Sequence, residues 1–133
     1  MNILFFLIPK SEVAHVESSD TLRQVAEKLD YHKYSAVPIL DEKGRYLDTV
    51  SDGDLFWFIK KYGDMSYRNS EEINIMQVPR QRKYQAIQYD ASMDELLNLA
   101  LNQNFIPVLD DNSVFIGIVT RKAIIEYFTK ADR

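Results

Sequence analysis

The sequence predicts an α/β chain made of two copies of one β-α-β-β-α unit, and three observations carry that prediction. First, Val37-Pro-Ile-Leu-Asp41 is matched by Ile106-Pro-Val-Leu-Asp110, and the match runs without a gap to Lys61 against Lys130. Second, Leu22, Val25, Ala26 and Leu29 follow the i, i+3, i+4, i+7 spacing of one apolar helix face, and Met93, Leu96, Leu97 and Ala100 repeat it. Third, both helices open on capping-box spacing, Thr21…Gln24 and Ser92…Glu95. Identities between the copies are few, but residue classes agree. Tyr46 faces Phe115, Leu47 faces Ile116, Ser51 faces Thr120, Leu55 faces Ile124 and Phe58 faces Tyr127.

The elements follow in order. Met1–Pro9 is apolar but far short of the roughly 20 residues that span a bilayer, and it lacks the basic start and small-residue cleavage site of a secretory signal. It is expected to pack on the core or on a second copy of the chain. A short strand (Val13–Val16, or Gln85–Gln88) leads to a helix (Leu22–Lys33, or Met93–Asn102) and a strand (Ala36–Leu40, or Phe105–Leu109). Asp41-Glu-Lys-Gly44 and Asp110-Asp-Asn-Ser113 have turn chemistry. A second strand (Arg45–Val50, or Val114–Val119) then enters a closing helix (Asp52–Lys61, or Lys122–Lys130). Residues 9–62 make the first repeat, 63–83 a polar connector with Gly63, Asp64, Ser66, Asn69 and Ser70, and 84–130 the second repeat. Within the connector, Glu71–Val78 is expected to hold a short element that enters the second repeat.

Composition narrows the function classes. The 133 residues are 46% hydrophobic and 27% charged, which is globular rather than disordered composition. A net charge of −4 argues against a general nucleic-acid binder. The absence of cysteine excludes disulfides and thiolate metal sites and fits a reducing, cytoplasmic setting. His15 and His32 have no metal spacing, and there is no nucleophile elbow, P-loop or HExxH. The expectation is therefore no enzyme, no metal, no catalytic cofactor, no nucleic acid and no membrane.

Three stretches carry a family resemblance: the small-residue strand Tyr34-Ser-Ala-Val-Pro38, the hairpin with its Asp-rich turn, and the paired strand ends Asp48-Thr-Val-Ser51-Asp-Gly-Asp54 and Gly117-Ile-Val-Thr120-Arg-Lys-Ala123. Over about residues 9–130 the chain resembles the CBS domain, named after cystathionine β-synthase. The resemblance implies two pseudo-symmetric repeats packed through their sheets, two clefts between them, and commonly a flat dimer. It also implies a regulatory ligand such as AMP, ADP, ATP, S-adenosylmethionine or cyclic di-AMP. Val13-Ala-His-Val16, Asn102-Gln-Asn-Phe105 and Gly117-Ile-Val-Thr-Arg121 are similar to the small stand-alone bacterial CBS proteins that bind cyclic di-AMP.

A hydroxyl residue at a strand-to-helix turn sits where free N–H groups and the helix dipole favour a phosphate. Carried onto this chain, the resemblance implies a first cleft of Ala14, Tyr34, Ser35, Ala36 and Pro38 with Thr120, Arg121 and Lys122. Ala123 stands where the family has its ribose-binding Asp, so a ligand held through base and phosphates suits this cleft best. The implied second cleft has Gln85, Asn104, Phe105 and Pro107 with Ser51 and Asp54. It keeps the carboxylate but has the bulky Phe105 and the negative charge of Asp52 and Asp54. Plainer readings stand beside these. Thr120 and Ser51 can be helix caps, Asp54 can stabilise its own helix start, and Arg121 and Lys122 can be solvated charges.

Arg80, Arg82 and Lys83 read as an exposed linker cluster. His32 reads as a surface residue; for His15, next to Ala14, ligand contact is the minority reading. Phe56, Trp57, Phe58 and Ile59, with Ile124, Ile125, Tyr127 and Phe128, make the closing helices apolar on more than one face, which points to a homodimer. The function expected is a sensor of an adenine nucleotide that signals to a separate effector protein. The alternative is an interaction or dimerisation module that has lost nucleotide binding.

Overall fold

The computed structural model describes residues 1–62 and 69–131; Gly63, Asp64 and Ser66 of the expected connector lie outside them. The chain forms two compact units, one of Ala14–Lys83 and one that joins Met1–Val13 to Tyr84–Arg133.

In the first unit, β2 (Val16–Glu17) lies parallel to β3 (Ala36–Leu40), which pairs antiparallel with β4 (Tyr46–Ser51), giving the order β2-β3-β4. Helix α1 (Leu22–His32) opens on the expected capping box: Thr21 Oγ1 accepts the Gln24 N–H and the Gln24 side chain accepts the Thr21 N–H. It ends at Lys33, whose φ of 57° is left-handed. Helix α2 (Asp52–Tyr62) follows β4 directly. The core joins Val16, Leu22, Val25, Leu29, Val37, Ile39 and Val50 to Ile75 and Val78.

That last pair corrects the reading of the connector. Glu71–Val78 does hold short elements, 3-10 turns at Asn69–Glu72 and Ile75–Gln77. They pack on the first repeat, however, not the second. Ile75 is fully buried against α1, and the main chain is tied by Leu22 N–H to Ile73 O (2.8 Å) and Ile75 N–H to Asp20 O (2.9 Å). Burial of two β-branched side chains outweighs the polar composition around them.

In the second unit the strand order is β1 (Ile8–Pro9), β7 (Phe115–Thr120), β6 (Phe105–Leu109), β5 (Ile87–Gln88). Here β5 is parallel to β6, which pairs antiparallel with β7. β1 adds to the far edge of β7. Helices α3 (Met93–Ala100) and α4 (Arg121–Ala131) complete the unit. The expectation for the N-terminal segment holds, since Ile3 and Phe6 are buried with Leu96, Ile106 and Val119. Both repeats carry a bulge at one matched place, between Ile39 and Leu40 and between Val108 and Leu109.

The opening strands are shorter than expected. Before Ile87, the Gln85 main chain bonds to the Gln103 side-chain amide instead of to a neighbouring strand. Before Val16, the His15 carbonyl is taken by Lys28 Nζ at 2.7 Å. Among the described residues no helix is long and apolar enough to cross a membrane.

Candidate functional site

Within each unit, the proline strand and the strand-to-helix turn stand side by side. In the first, the Ser35 carbonyl accepts the Asp52 N–H at 2.8 Å, while Ala36 is in register with Ser51 and Pro38 with Thr49. In the second, the Asn104 carbonyl accepts the Arg121 N–H at 2.9 Å, while Phe105 is in register with Thr120 and Pro107 with Ile118. Tyr34, Ser35 and Ala36 therefore flank Ser51 and Asp54, and Asn104 and Phe105 flank Thr120 and Arg121. The first residue set is divided between the units: Ala14, Tyr34, Ser35, Ala36 and Pro38 belong to one, Thr120, Arg121 and Lys122 to the other.

The second repeat's turn favours an anion. Thr120 Oγ1 accepts the Ala123 N–H at 3.1 Å, so the hydroxyl caps α4. No carboxylate lies in the first turn of α4, and Arg121 and Lys122 open it. Arg121 is half-buried and donates from Nε to the Ala100 carbonyl at 2.7 Å, which ties the start of α4 to the end of α3. Lys122 is exposed, with Nζ 3.9 Å from Glu126.

The first repeat's turn is built the other way. Ser51 and Asp54 cap each other, Ser51 N–H to Asp54 Oδ2 at 2.8 Å and Asp54 N–H to Ser51 Oγ at 3.1 Å. The other carboxylate oxygen accepts the Gln81 N–H at 2.6 Å. Asp54 is 1% exposed, so main-chain donors occupy both oxygens of a buried carboxylate. Next to it, Arg80 Nε lies 3.2 Å from Asp48 Oδ2, and a guanidinium N–H of Arg80 donates to the Val78 carbonyl. Arg80 thus departs from the expected exposed cluster: its side chain is 13% exposed and ion-paired, whereas Arg82 and Lys83 are exposed as expected.

The two strand faces also differ. Tyr34 and Ser35 are exposed, Ala36 and Ala14 half-buried, and Pro38 buried. The Tyr34 ring stacks on exposed His32, with centroids 4.9 Å apart and planes 9° apart. Where the first repeat has Ala36 the second has Phe105, buried beneath Tyr84, whose ring centroid is 5.2 Å away and whose hydroxyl bonds Asn104 Oδ1 at 3.3 Å. His15 Nε2 is 3.3 Å from Glu17, and its buried Nδ1 has no hydrogen-bond partner among the described residues.

Sequence reasoning missed Gln103. Its buried amide accepts the Gln85 N–H at 3.0 Å and donates to the Gln85 and Phe105 carbonyls, both at 2.9 Å. It stands where the first repeat has Tyr34, and a polar residue just before a buried strand was the available signal.

The family model for the CBS domain matches this chain twice, over residues 7–61 and 75–130. The cyclic di-AMP receptor B of Bacillus subtilis (strain 168) is 25% identical over 130 residues, which are 94% of this chain and 84% of that protein. A hypothetical conserved protein of Geobacillus kaustophilus matches in structure with a TM-score of 0.88 at 26% identity, covering 98% of each chain. The crystal structure of the Listeria monocytogenes CbpB protein in complex with c-di-AMP matches with a TM-score of 0.86 at 21% identity, covering 97% of this chain and 96% of that one.

Proposed function

Since the chain belongs to the CBS-domain family and carries that domain twice, we propose that it is a regulatory module that binds an adenine nucleotide, cyclic di-AMP foremost, and passes its occupancy to a separate protein. The observation that carries this reading is the Thr120-Arg121-Lys122 turn, a hydroxyl-capped helix start with two cations and no carboxylate in its first turn. The likeness to the Bacillus subtilis cyclic di-AMP receptor supports the choice of ligand. In this reading Thr120, Arg121 and Lys122 meet phosphate. Ala123, without a carboxylate, favours a ligand held by base and phosphates over one held by a ribose diol.

Gln85, Asn104, Phe105, Pro107, Ser51 and Asp54 form the weaker set, because Phe105 is buried and Asp54 is already engaged by Ser51 and Gln81. A thermal-shift panel of AMP, ADP, ATP, S-adenosylmethionine and cyclic di-AMP tests the reading. A ligand at about a hundred times its Kd stabilises the fold by about 2.7 kcal/mol. Lys122→Glu, at an exposed position, should weaken that shift without unfolding the chain. If none of the five raises the melting temperature, the alternative stands: an interaction module without a nucleotide. That second reading is favoured by the exposed Phe56, Trp57, Ile125 and Phe128 of the closing helices, which suit a homodimer.

A further inference from the structure

Each repeat opens with an edge strand whose outward main-chain groups need partners, and the repeats treat that edge differently. In the first repeat, Val16 and Ser18 face β3, so His15 and Glu17 face outward. Two side chains close this edge: Lys28 Nζ donates to the His15 carbonyl at 2.7 Å, and Asp20 Oδ2 accepts the Glu17 N–H at 2.9 Å. In the second repeat, Ile87 and Tyr89 face β6, so Ala86 and Gln88 face outward. Leu99 stands in the place of Lys28 and Ala91 in the place of Asp20. Among the described residues no side chain closes on the Ala86 carbonyl or the Gln88 N–H. Instead, Ala86, Gln88, Ala91 and Leu99 line a hollow of about 730 Å³ between β5 and α3, together with Asp90 and Glu95 and with no cation in the lining.

We propose that this edge is a docking surface for an extended, basic segment of a partner protein, which adds as a strand beside β5. Hydrogen bonding and charge carry this docking, and it needs no bound nucleotide. One residue of an incoming parallel strand can give its N–H to the Ala86 carbonyl and accept the Gln88 N–H on its own carbonyl. In the first repeat an ammonium and a carboxylate fill the same two roles from within the chain. A Lys or Arg on the incoming segment meets Asp90 and Glu95, which also repel a second copy of this acidic edge.

The test uses the full chain, ¹⁵N-labelled and free of nucleotide, titrated with a blocked Lys-Thr alternating peptide of about eight residues. The peptide should slow amide exchange at Gln88 and shift the Ala86 and Gln88 resonances, and a Glu-Thr peptide should bind at least about tenfold more weakly. Ala91→Asp, which imports the first repeat's cap, should slow Gln88 exchange in the absence of peptide and weaken the peptide by a similar factor. Ala91→Asp combined with Leu99→Lys should abolish binding; if that pair impairs folding, the single variant decides. Equal binding by the closed variant, contact elsewhere on the chain, or no binding overturns the proposal. Nucleotide-induced protection of Gln88 likewise overturns it, while leaving the nucleotide reading intact.

Discussion

At Gly117 the second repeat lets the leading strand lie against β7, with Pro9 in register with Gly117 and Ile8 with Ile118. At the matching position the first repeat has Asp48, and the segment that follows the Val78–Pro79 pair is held there by the Arg80 ion pair and by Gln81 on Asp54. One repeat grips its neighbouring segment by main-chain ladder, the other by two carboxylates. The difference reaches the charge of the two turns. Carboxylates spent on the connector make the first repeat's turn acidic, whereas a turn freed from that duty keeps Arg121 and Lys122 beside an uncompensated helix start. Two copies of one fold thus diverge into a scaffold turn and a turn suited to an anion.

The largest expected effect breaks the ladder. Gly117 has φ 153°, and a Cβ there would run into the Ile8 carbonyl oxygen and sit 2.9 Å from Leu7 Cδ1. Gly117→Ala should cost about 3 kcal/mol or more in urea unfolding, through strain and lost pairing of β1. Gly53→Ala is the control, since its Cβ would meet nothing nearer than Ser51 Oγ at 3.7 Å. It should be neutral or stabilise by up to about 1 kcal/mol. Similar losses at both sites would refute the contrast.

Next comes the carboxylate grip. Asp54→Ala leaves the Ser51 and Gln81 N–H groups without their acceptor and should cost about 2–4 kcal/mol, with faster amide exchange at Gln81. The reciprocal Ala123→Asp, at a helix start whose cap already exists, should gain no more than about 1 kcal/mol. It should also weaken anion binding at that turn. A destabilising Ala123→Asp would mean the two turns are less alike than their registers indicate.

Local signals made the repeat legible. The matched helix faces, the Pro strands and the capping boxes each encode an element within a dozen residues, and among the described residues all eight longer elements, α1 to α4 with β3, β4, β6 and β7, lie within two residues of their predicted ends. Less legible was anything set by contacts distant in sequence. Ile75 and Val78 looked like part of a polar connector because their apolar partners, Leu22 and Val25, lie some fifty residues away. Arg80 read as solvated because its acceptor, Asp48, belongs to a strand whose neighbour could not be known. Of the proposed site, the caps Thr120, Ser51 and Asp54 were readable from spacing alone, while the tether of Arg121 to the Ala100 carbonyl needed coordinates.

A smaller effect sharpens the comparison through charge. Arg80→Ala removes the pair with Asp48, where the side chains are 13% and 31% exposed. Partial burial puts the expected loss near the upper end for such pairs, about 1 kcal/mol, and it should shrink in high salt. A salt-independent loss would assign the role of Arg80 to packing and to the Val78 carbonyl instead.

The smallest effect separates the two hairpin turns. Asp41 Oδ1 accepts the Lys43 and Arg45 N–H groups, both at 2.9 Å, and Oδ2 accepts Arg45 Nε at 2.7 Å. Asp110 accepts the Asn112 and Val114 N–H groups, with Val114 where the first repeat has Arg45. The Arg45 main-chain N–H foremost, then its guanidinium and the Lys43 N–H, hold the Asp41 carboxyl below its ordinary value. A carboxyl depressed in the folded state lends its stability above the unfolded value and loses it as pH falls through the folded one. The Asp41 carboxyl resonance should therefore titrate below the ordinary aspartate value. Arg45→Val, which imports the second repeat's residue but keeps the main-chain donor, should move that midpoint only part of the way back. A full return to the ordinary value would give the guanidinium, rather than the turn's backbone, control of this carboxylate, and the two hairpins would then differ in kind.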